Sequence, residues 1–293
     1  ALNETVVSQL GVALDKANSD ESVRTIVLDG AGKAFVAGAD VKFFVDKIRA
    51  DSFPDIYDFT ADGHKVLNKL ESSTKTTVAL TTGLSLGGGL ELALSCDYRI
   101  GTRKTQFRFP ETSIGIFPGL GGTQRPARIA GIPAARWAVL AGNFMDARTA
   151  ADLGLVTNLV DVTEVDSTIS ALDSQGKPEE KYPATPVNPD SKIATFAMSF
   201  YSDDNMNTIL SGGCPDGFDP EDKLVSRQLK SLSRTAPIAL RMASDLIDAA
   251  GTTELSGGLS QELDNLEAIF STNDALEGLS ALIEGRKPTY QNS

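Results

Sequence analysis

Two apolar periods alternate along the first half of the chain and predict an α/β core. From Glu4 to Lys16, Val6, Val7, Leu10, Ala13 and Leu14 fall on one helical face. The β-branched run Arg24–Leu28, ended by Asp29-Gly30, predicts a short buried strand. Gly30–Val41 is small and apolar and reads as a loop packed close to a ligand or as a plain connection. Phe53–Glu71 returns to helical spacing through Ile56, Phe59, Val66, Leu67 and Leu70. Strands are expected at Thr76–Leu80, Asp97–Ile100, Gln106–Phe109 and Leu155–Val160. Helices are expected from the glycines at 87–89, from Arg125, over Pro133–Ala141, and over Ala147–Leu153. Asp146 caps the last of these and Gly154 closes it. Prolines and glycines rule out a regular helix across Phe109–Gly131.

The pattern changes after Leu172. Asp173–Asp190 carries four prolines among polar residues and reads as an irregular surface excursion. A helical patch, Ile193–Phe200, and a loop, Ser211–Pro220, follow. Glu221–Glu284 is wholly helical, in segments marked off by Pro237, Gly251 and a cap at Ser271–Asp274. Asp274 with Glu277 three residues on matches a capping box. The expected organisation is an α/β core over 1–172, an insertion with a short helix over 173–221, and a helical module over 222–293.

Charge and composition narrow the function. A net charge of −12 argues against a nucleic-acid surface, which needs a basic excess. Cys96 and Cys214 alone make no disulfide framework, which fits a reducing, cytoplasmic setting. With one histidine and two cysteines, no zinc site is expected. No apolar run reaches the roughly 20 residues of a membrane helix, and no signal peptide is visible.

The chemistry concentrates in Leu80–Ser95. Three successive glycines, Gly87-Gly88-Gly89, are costly inside either regular element. Between a strand and a helix they let backbone N–H groups reach a ligand, at the positive end of the helix dipole. Such a place stabilises a phosphate or a developing oxyanion. Gly83-Leu84-Ser85-Leu86-Gly87 also spells the nucleophile elbow of an α/β-hydrolase, but that fold needs a histidine after the serine. The one histidine, His64, precedes Ser85, so Ser85 reads as a turn residue and His64, on a helix, is given no role. Gly119–Gly122 lacks both the P-loop ending and the full dinucleotide fingerprint, so no nucleotide triphosphate site is expected.

Four stretches in order resemble the enoyl-CoA hydratase/isomerase (crotonase) superfamily: Gly32–Lys42, Gly83–Ile100, Phe109–Arg125 and Asp274–Tyr290. The resemblance implies a spiral of ββα units with a C-terminal helical module that covers the acyl pocket and builds trimers or hexamers. It implies an oxyanion hole from the N–H groups of Ala39 and Gly88, and two catalytic glutamates, Glu91 and Glu111. By the same matching, Ala37, Asp40, Gly87, Pro118 and Gly119 contact substrate, and Lys33, Lys42 and Lys287 approach the CoA phosphates. The implied reaction is hydration of a trans-2-enoyl-CoA, in fatty-acid β-oxidation or related acyl-CoA metabolism, with no cofactor beyond the CoA of the substrate. A Δ3,Δ2-enoyl-CoA isomerase and a non-catalytic assembly subunit are the alternatives. Two carboxylates that share a proton can supply both an acid and a base, because like charges push their pKa values apart. Of the family's usual opening strand and turn, only Ala1-Leu2-Asn3 is present. The expectation is therefore the hydratase part of a fused 3-hydroxyacyl-CoA dehydrogenase/enoyl-CoA hydratase.

Overall fold

Short strands are laid down in consecutive pairs, and the two members of each pair join different sheets. The computed structural model describes residues 1–182 and 187–293. In it, β1 (Thr25–Asp29), β3 (Thr76–Thr81), β5 (Tyr98–Gly101) and β8 (Asn158–Leu159) form one parallel sheet in that order. A second sheet takes β2 (Ala34–Ala37), β4 (Leu84–Leu86), β6 (Gln106–Arg108) and β7 (Met145–Asp146), with only β7 antiparallel to its neighbour. Parallel neighbours need a long crossover, and helices supply it. After α1 (Glu4–Ser19), β1 and β2 lead into α2 (Val41–Arg49) and α3 (Phe53–Glu71). Next, β3 and β4 lead into α4 (Gly88–Leu94). A 3₁₀ turn at Glu111–Ile114 and then α5 (Arg125–Ala130) follow β5 and β6. The core is thus three turns of a ββα spiral.

The rest of the chain is mostly helical: α6 (Ile132–Leu140), α7 (Ala147–Asp152), α8 (Val165–Gln175), α9 (Lys192–Phe200) and α10 (Asp203–Leu210). Then come α11 (Lys223–Leu232), α12 (Pro237–Ala249), α13 (Leu255–Asp264), α14 (Leu266–Phe270) and α15 (Asn273–Glu284). The last three return to the core: α13 and α14 pack on α3, and α15 packs on α2 and the 3₁₀ turn. Phe44 of α2 stacks on Phe270 of α14, with ring centroids 5.1 Å apart. No helix of the described residues is long and apolar enough to cross a membrane.

Several local expectations change. The stretch Gly30–Val41 holds strand β2, which small residues disguised; Gly30 and Gly89 let that strand lie against its neighbours. A Cβ at Gly89 would fall 2.2 Å from the Val36 carbonyl oxygen. Ser85 sits in β4 rather than in a turn, and the strand expected over Leu155–Val160 shrinks to two residues. Helix α8 runs through the expected 172/173 boundary, and α10 adds a second helix to the excursion. Both are polar enough to hide their period. Residues 183–186 of the Pro-rich stretch lie outside the described residues.

The capping box is replaced by a simple N-cap. Thr272 is the N-cap of α15, its hydroxyl accepting from the Ala275 N–H. Asp274 is buried and receives the N–H groups of Gln291 and Asn292 at 2.7 and 2.9 Å. Glu277 takes a two-pronged bond from Arg286 and the Thr289 N–H. Both carboxylates therefore fasten the C-terminal tail.

Candidate active site

Adjacent parallel strands end together, and here that gathers three chain reversals. Ala37, Leu86 and Arg108 stand in register across β2, β4 and β6. Beyond them the chain turns into Gly38-Ala39, Gly87-Gly88 and Phe109–Glu111. Leu2 bridges to Ala39: its N–H donates to Gly38 O and the Asp40 N–H donates to Leu2 O. In a parallel bridge this pattern turns the N–H of Ala39 itself away from Leu2. Gly88 is the first residue of α4, so its N–H has no intrahelical acceptor. Gly87 between them has φ +47°, which favours glycine, and a Cβ there would stand 2.1 Å from Glu111 Oε1.

Ala39, Gly88, Glu91 and Glu111 all line one cavity of about 240 Å³, which Ala37, Gly87 and Gly119 also line. Apart from Arg108 and Thr60, its remaining walls are apolar, including Phe44, Phe59, Ile116, Leu266, Phe270 and Leu282. The two carboxylates are buried, at 2% exposure for Glu91 and 8% for Glu111. Glu91 Oε1 accepts the N–H groups of Leu120 and Gly122 at 2.6 and 2.7 Å. Burial pushes Glu91 up to about 7, against the pull of those two bonds and of Arg125. Glu111 Oε2 is buried with no hydrogen-bond partner among the described residues. Burial, and then the charge of Glu91, raise Glu111 well above the usual carboxylate range, with Arg108 pulling the other way.

A third carboxylate, Glu262 of α13, is fully buried behind them. It accepts the Gly121 N–H at 2.6 Å, the Thr123 N–H at 3.1 Å and the Thr123 hydroxyl at 2.5 Å. Burying an ion costs several kcal/mol, and each bond to a charged acceptor returns about 1.5–3 kcal/mol. Burial first, and Glu91 second, push Glu262 up to about 8. His64 is buried rather than solvated, with Nε2 2.6 Å from Gly119 O and 3.7 Å from Glu262 Oε2. Burial pushes it down to about 4, so the neutral ring donates from Nε2. Arg125, fully buried, donates to Leu120 O and pairs with Glu71 at 2.8 Å.

The other expected substrate contacts are placed elsewhere. Pro118 is buried beneath Gly122 and does not line the cavity, because the chain there folds back to bring Gly122 onto Glu91. Asp40 is the N-cap of α2, accepting from the Lys42 N–H, which commits its carboxylate to the helix end. Lys33 is exposed in a separate depression with Arg103 and Lys104, and Lys42 is exposed 3.9 Å from Asp46. Lys287 is exposed in the C-terminal tail. Glu262, not singled out from sequence, and His64, given no role there, lie behind the cavity and hold its loop. Each sits on an apolar helical stripe, Leu255-Leu259-Glu262-Leu266 and Thr60-His64-Leu67, where a titratable group is out of place.

Comparison with known proteins agrees with this geometry. The chain is 29% identical over 290 residues to a probable enoyl-CoA hydratase of Mycobacterium tuberculosis, covering 99% of this chain and 89% of that protein. It is 29% identical over 291 residues to the crotonyl-CoA hydratase of Syntrophomonas wolfei, with the same shares covered. The solved structure of an enoyl-CoA hydratase from Rhodobacter sphaeroides shares the fold, with a TM-score of 0.82 at 23% identity over 99% of this chain and 86% of that one. The family model for enoyl-CoA hydratase/isomerase matches residues 1–293 in full. Spiral, cavity and sequence agree, and the chain belongs to the enoyl-CoA hydratase/isomerase family.

Proposed function

We propose that the chain is an enoyl-CoA hydratase, which adds water across the double bond of a trans-2-enoyl-CoA to give a 3-hydroxyacyl-CoA. The observation that carries this reading is the convergence of Glu91 and Glu111 on one apolar cavity beside the N–H groups of Ala39 and Gly88. The family match and the hydratase relatives support it. The thioester oxygen sits between those two N–H groups, and a donor of this kind is typically worth about 3 kcal/mol in the transition state. Glu91, ionised, takes a proton from water as the water oxygen bonds Cβ. The Cα=Cβ electrons move toward the carbonyl and give an enolate held by the two N–H groups. Glu111, protonated, then delivers its proton to Cα. The proton left on Glu91 returns to Glu111 through solvent, which closes the cycle.

The cavity is smaller than the roughly 300–1,000 Å³ of sites that enclose a whole drug-sized ligand, so it takes the acyl end and leaves CoA outside. Lys33, Lys42 and Lys287 then serve only the nucleotide end. No cofactor is required in this reading, and chelator-treated protein is expected to keep its activity. The reading extends to a cytoplasmic homotrimer or hexamer of the 31.0 kDa chain, which light scattering tests and a monomer contradicts. A 3-hydroxyacyl-CoA dehydrogenase, fused or associated, is the enzyme class that consumes the product.

The test is the fall in enoyl-thioester absorbance with crotonyl-CoA, with the product identified by a mass gain of one water. A chain that instead only converts a 3-enoyl-CoA to its 2-enoyl isomer is an isomerase. A chain inert to both substrates is an assembly subunit.

A further inference from the structure

Glu262 has no part in the reaction written above, yet the residues Gly119–Thr123 are folded around it and Glu91 together. Successive N–H groups alternate between the two carboxylates: Leu120 and Gly122 donate to Glu91, Gly121 and Thr123 to Glu262. The carbonyls of the same segment are held as well, Gly119 O by His64 and Leu120 O by Arg125. The peptide between Leu120 and Gly121 is therefore gripped at both ends, by Arg125 on its oxygen and by Glu262 on its N–H. That peptide separates the two N–H groups that aim Glu91.

The approach of α13 depends on small residues. A Cβ at Gly258, one turn before Glu262, would fall 1.9 Å from Gln124 Oε1. Gly121 has φ +96°, and a Cβ there would fall 1.8 Å from Arg125 Nη1. Gln124 Nε2 donates to Thr123 Oγ1, so the Thr123 hydroxyl points its own hydrogen at Glu262. Among the described residues every hydrogen bond to the Glu262 carboxylate thus comes from a donor, and no water-exposed face remains on it.

We propose that Glu262 is a positioning residue for hydration. By holding Gly121 and Thr123 it keeps the N–H groups of Leu120 and Gly122 on Glu91 Oε1, and so leaves Oε2 aimed into the cavity. This rests on the reading of Glu91 as the base. The competing role is a purely structural anchor between α13 and the loop, which would cost thermal stability and leave turnover alone.

Glu262→Gln separates the two. Glutamine keeps the volume but places an NH₂ against either the Gly121 N–H or the Thr123 donors. For crotonyl-CoA hydration the expected result is a kcat lower by about 10²-fold, the scale of a misplacement of about 1 Å at a reacting centre. KM and the affinity for saturated butyryl-CoA stay within about twofold, because the cavity and its two N–H groups are untouched. A kcat within about threefold of the unaltered chain, or a fall carried by KM, overturns the proposal. If Glu262→Gln does not fold, Thr123→Val removes the hydroxyl donor to Glu262, while Gln124 Nε2 keeps its bond to Leu246 O. A kcat lowered about tenfold at constant KM then supports the proposal, and an unchanged kcat overturns it. Failure of the underlying reading shows separately, as an unaltered chain that does not hydrate crotonyl-CoA.

Discussion

Glu91 and Glu111 face the same cavity from surroundings that differ in kind. The Glu91 side is over-built: two N–H groups fix one carboxylate oxygen, and the loop that supplies them is held by Glu262, His64 and Arg125. The Glu111 side is under-built, with a short 3₁₀ turn and a buried Oε2 that no described residue satisfies. An unmet buried acceptor costs about 1–3 kcal/mol, which a fold tolerates mainly where a ligand or a transferred proton completes it. The difference matches the two proposed tasks. A group that directs a water molecule at Cβ benefits from a fixed aim. A group that carries a proton to Cα must stay neutral, and an apolar, sparsely bonded place keeps it so.

The comparison breaks most sharply at the carboxylates themselves. Glu91→Gln is expected to lower crotonyl-CoA hydration by about 10³-fold, since no neighbouring group on the cradle can replace it as base. Glu111→Gln is expected to cost about 10²-fold, because solvent can deliver the Cα proton slowly once the enolate is held. Stopped or coupled assays of kcat at saturating substrate measure both; a larger loss at Glu111 than at Glu91 would invert the assignment.

The glycines beside each carboxylate probe the same contrast by displacement. A Cβ added at Gly122 would stand 2.7 Å from Glu91 Oε1, and one added at Gly87 would stand 2.1 Å from Glu111 Oε1. Gly122→Ala and Gly87→Ala are each expected to lower kcat about tenfold. Both variants also lose thermal stability, Gly122→Ala because Pro118 lies 2.6 Å from the added carbon and Gly87→Ala because its φ of +47° strains any side chain. A Gly122→Ala chain that melts with the unaltered one would contradict a rigid cradle around Glu91.

The pH profile is a gentler probe. Glu91 must be ionised, so kcat/KM falls as pH drops through about 7, the value to which burial raises it. Glu111 must be protonated, so the alkaline limb reports its loss of a proton, which burial and the charge of Glu91 move to higher pH. These are properties of the pair. Removing the positive charge that favours ionised Glu111, with Arg108→Met, moves the alkaline limb to higher pH and leaves the acid limb in place. A shift of the acid limb alone would place Arg108 against the wrong carboxylate.

Much of this was legible in the chain. Periodicity marked the helices at Glu4–Ser19 and Phe53–Glu71 and, of the three strands that end at the cavity, β6. The triple glycine marked the turn into α4, and Glu91 and Glu111 were expected by resemblance. Glu262 was not, although a lone carboxylate between Leu259 and Leu266 on an apolar stripe was its visible signal. Strand β2 and helices α8 and α10 escaped because small or polar residues carry little periodicity, and tertiary packing decides them. Pro118 and Asp40 lie in matching stretches of sequence but point their bulk elsewhere. Motif matching places the backbone and leaves the side chain's direction to the fold.

The division of labour between the carboxylates is tested most directly on a substrate that offers only half the reaction. Saturated butyryl-CoA has a Cα proton and no double bond to hydrate, so exchange of that proton for deuterium in D₂O isolates the Cα step. Mass spectrometry of butyryl-CoA incubated in D₂O on the alkaline side of the profile, where Glu111 is ionised and can take the Cα proton, is expected to show enzyme-dependent exchange that persists in Glu91→Gln and disappears in Glu111→Gln. Exchange lost with Glu91 and kept without Glu111 would contradict the account.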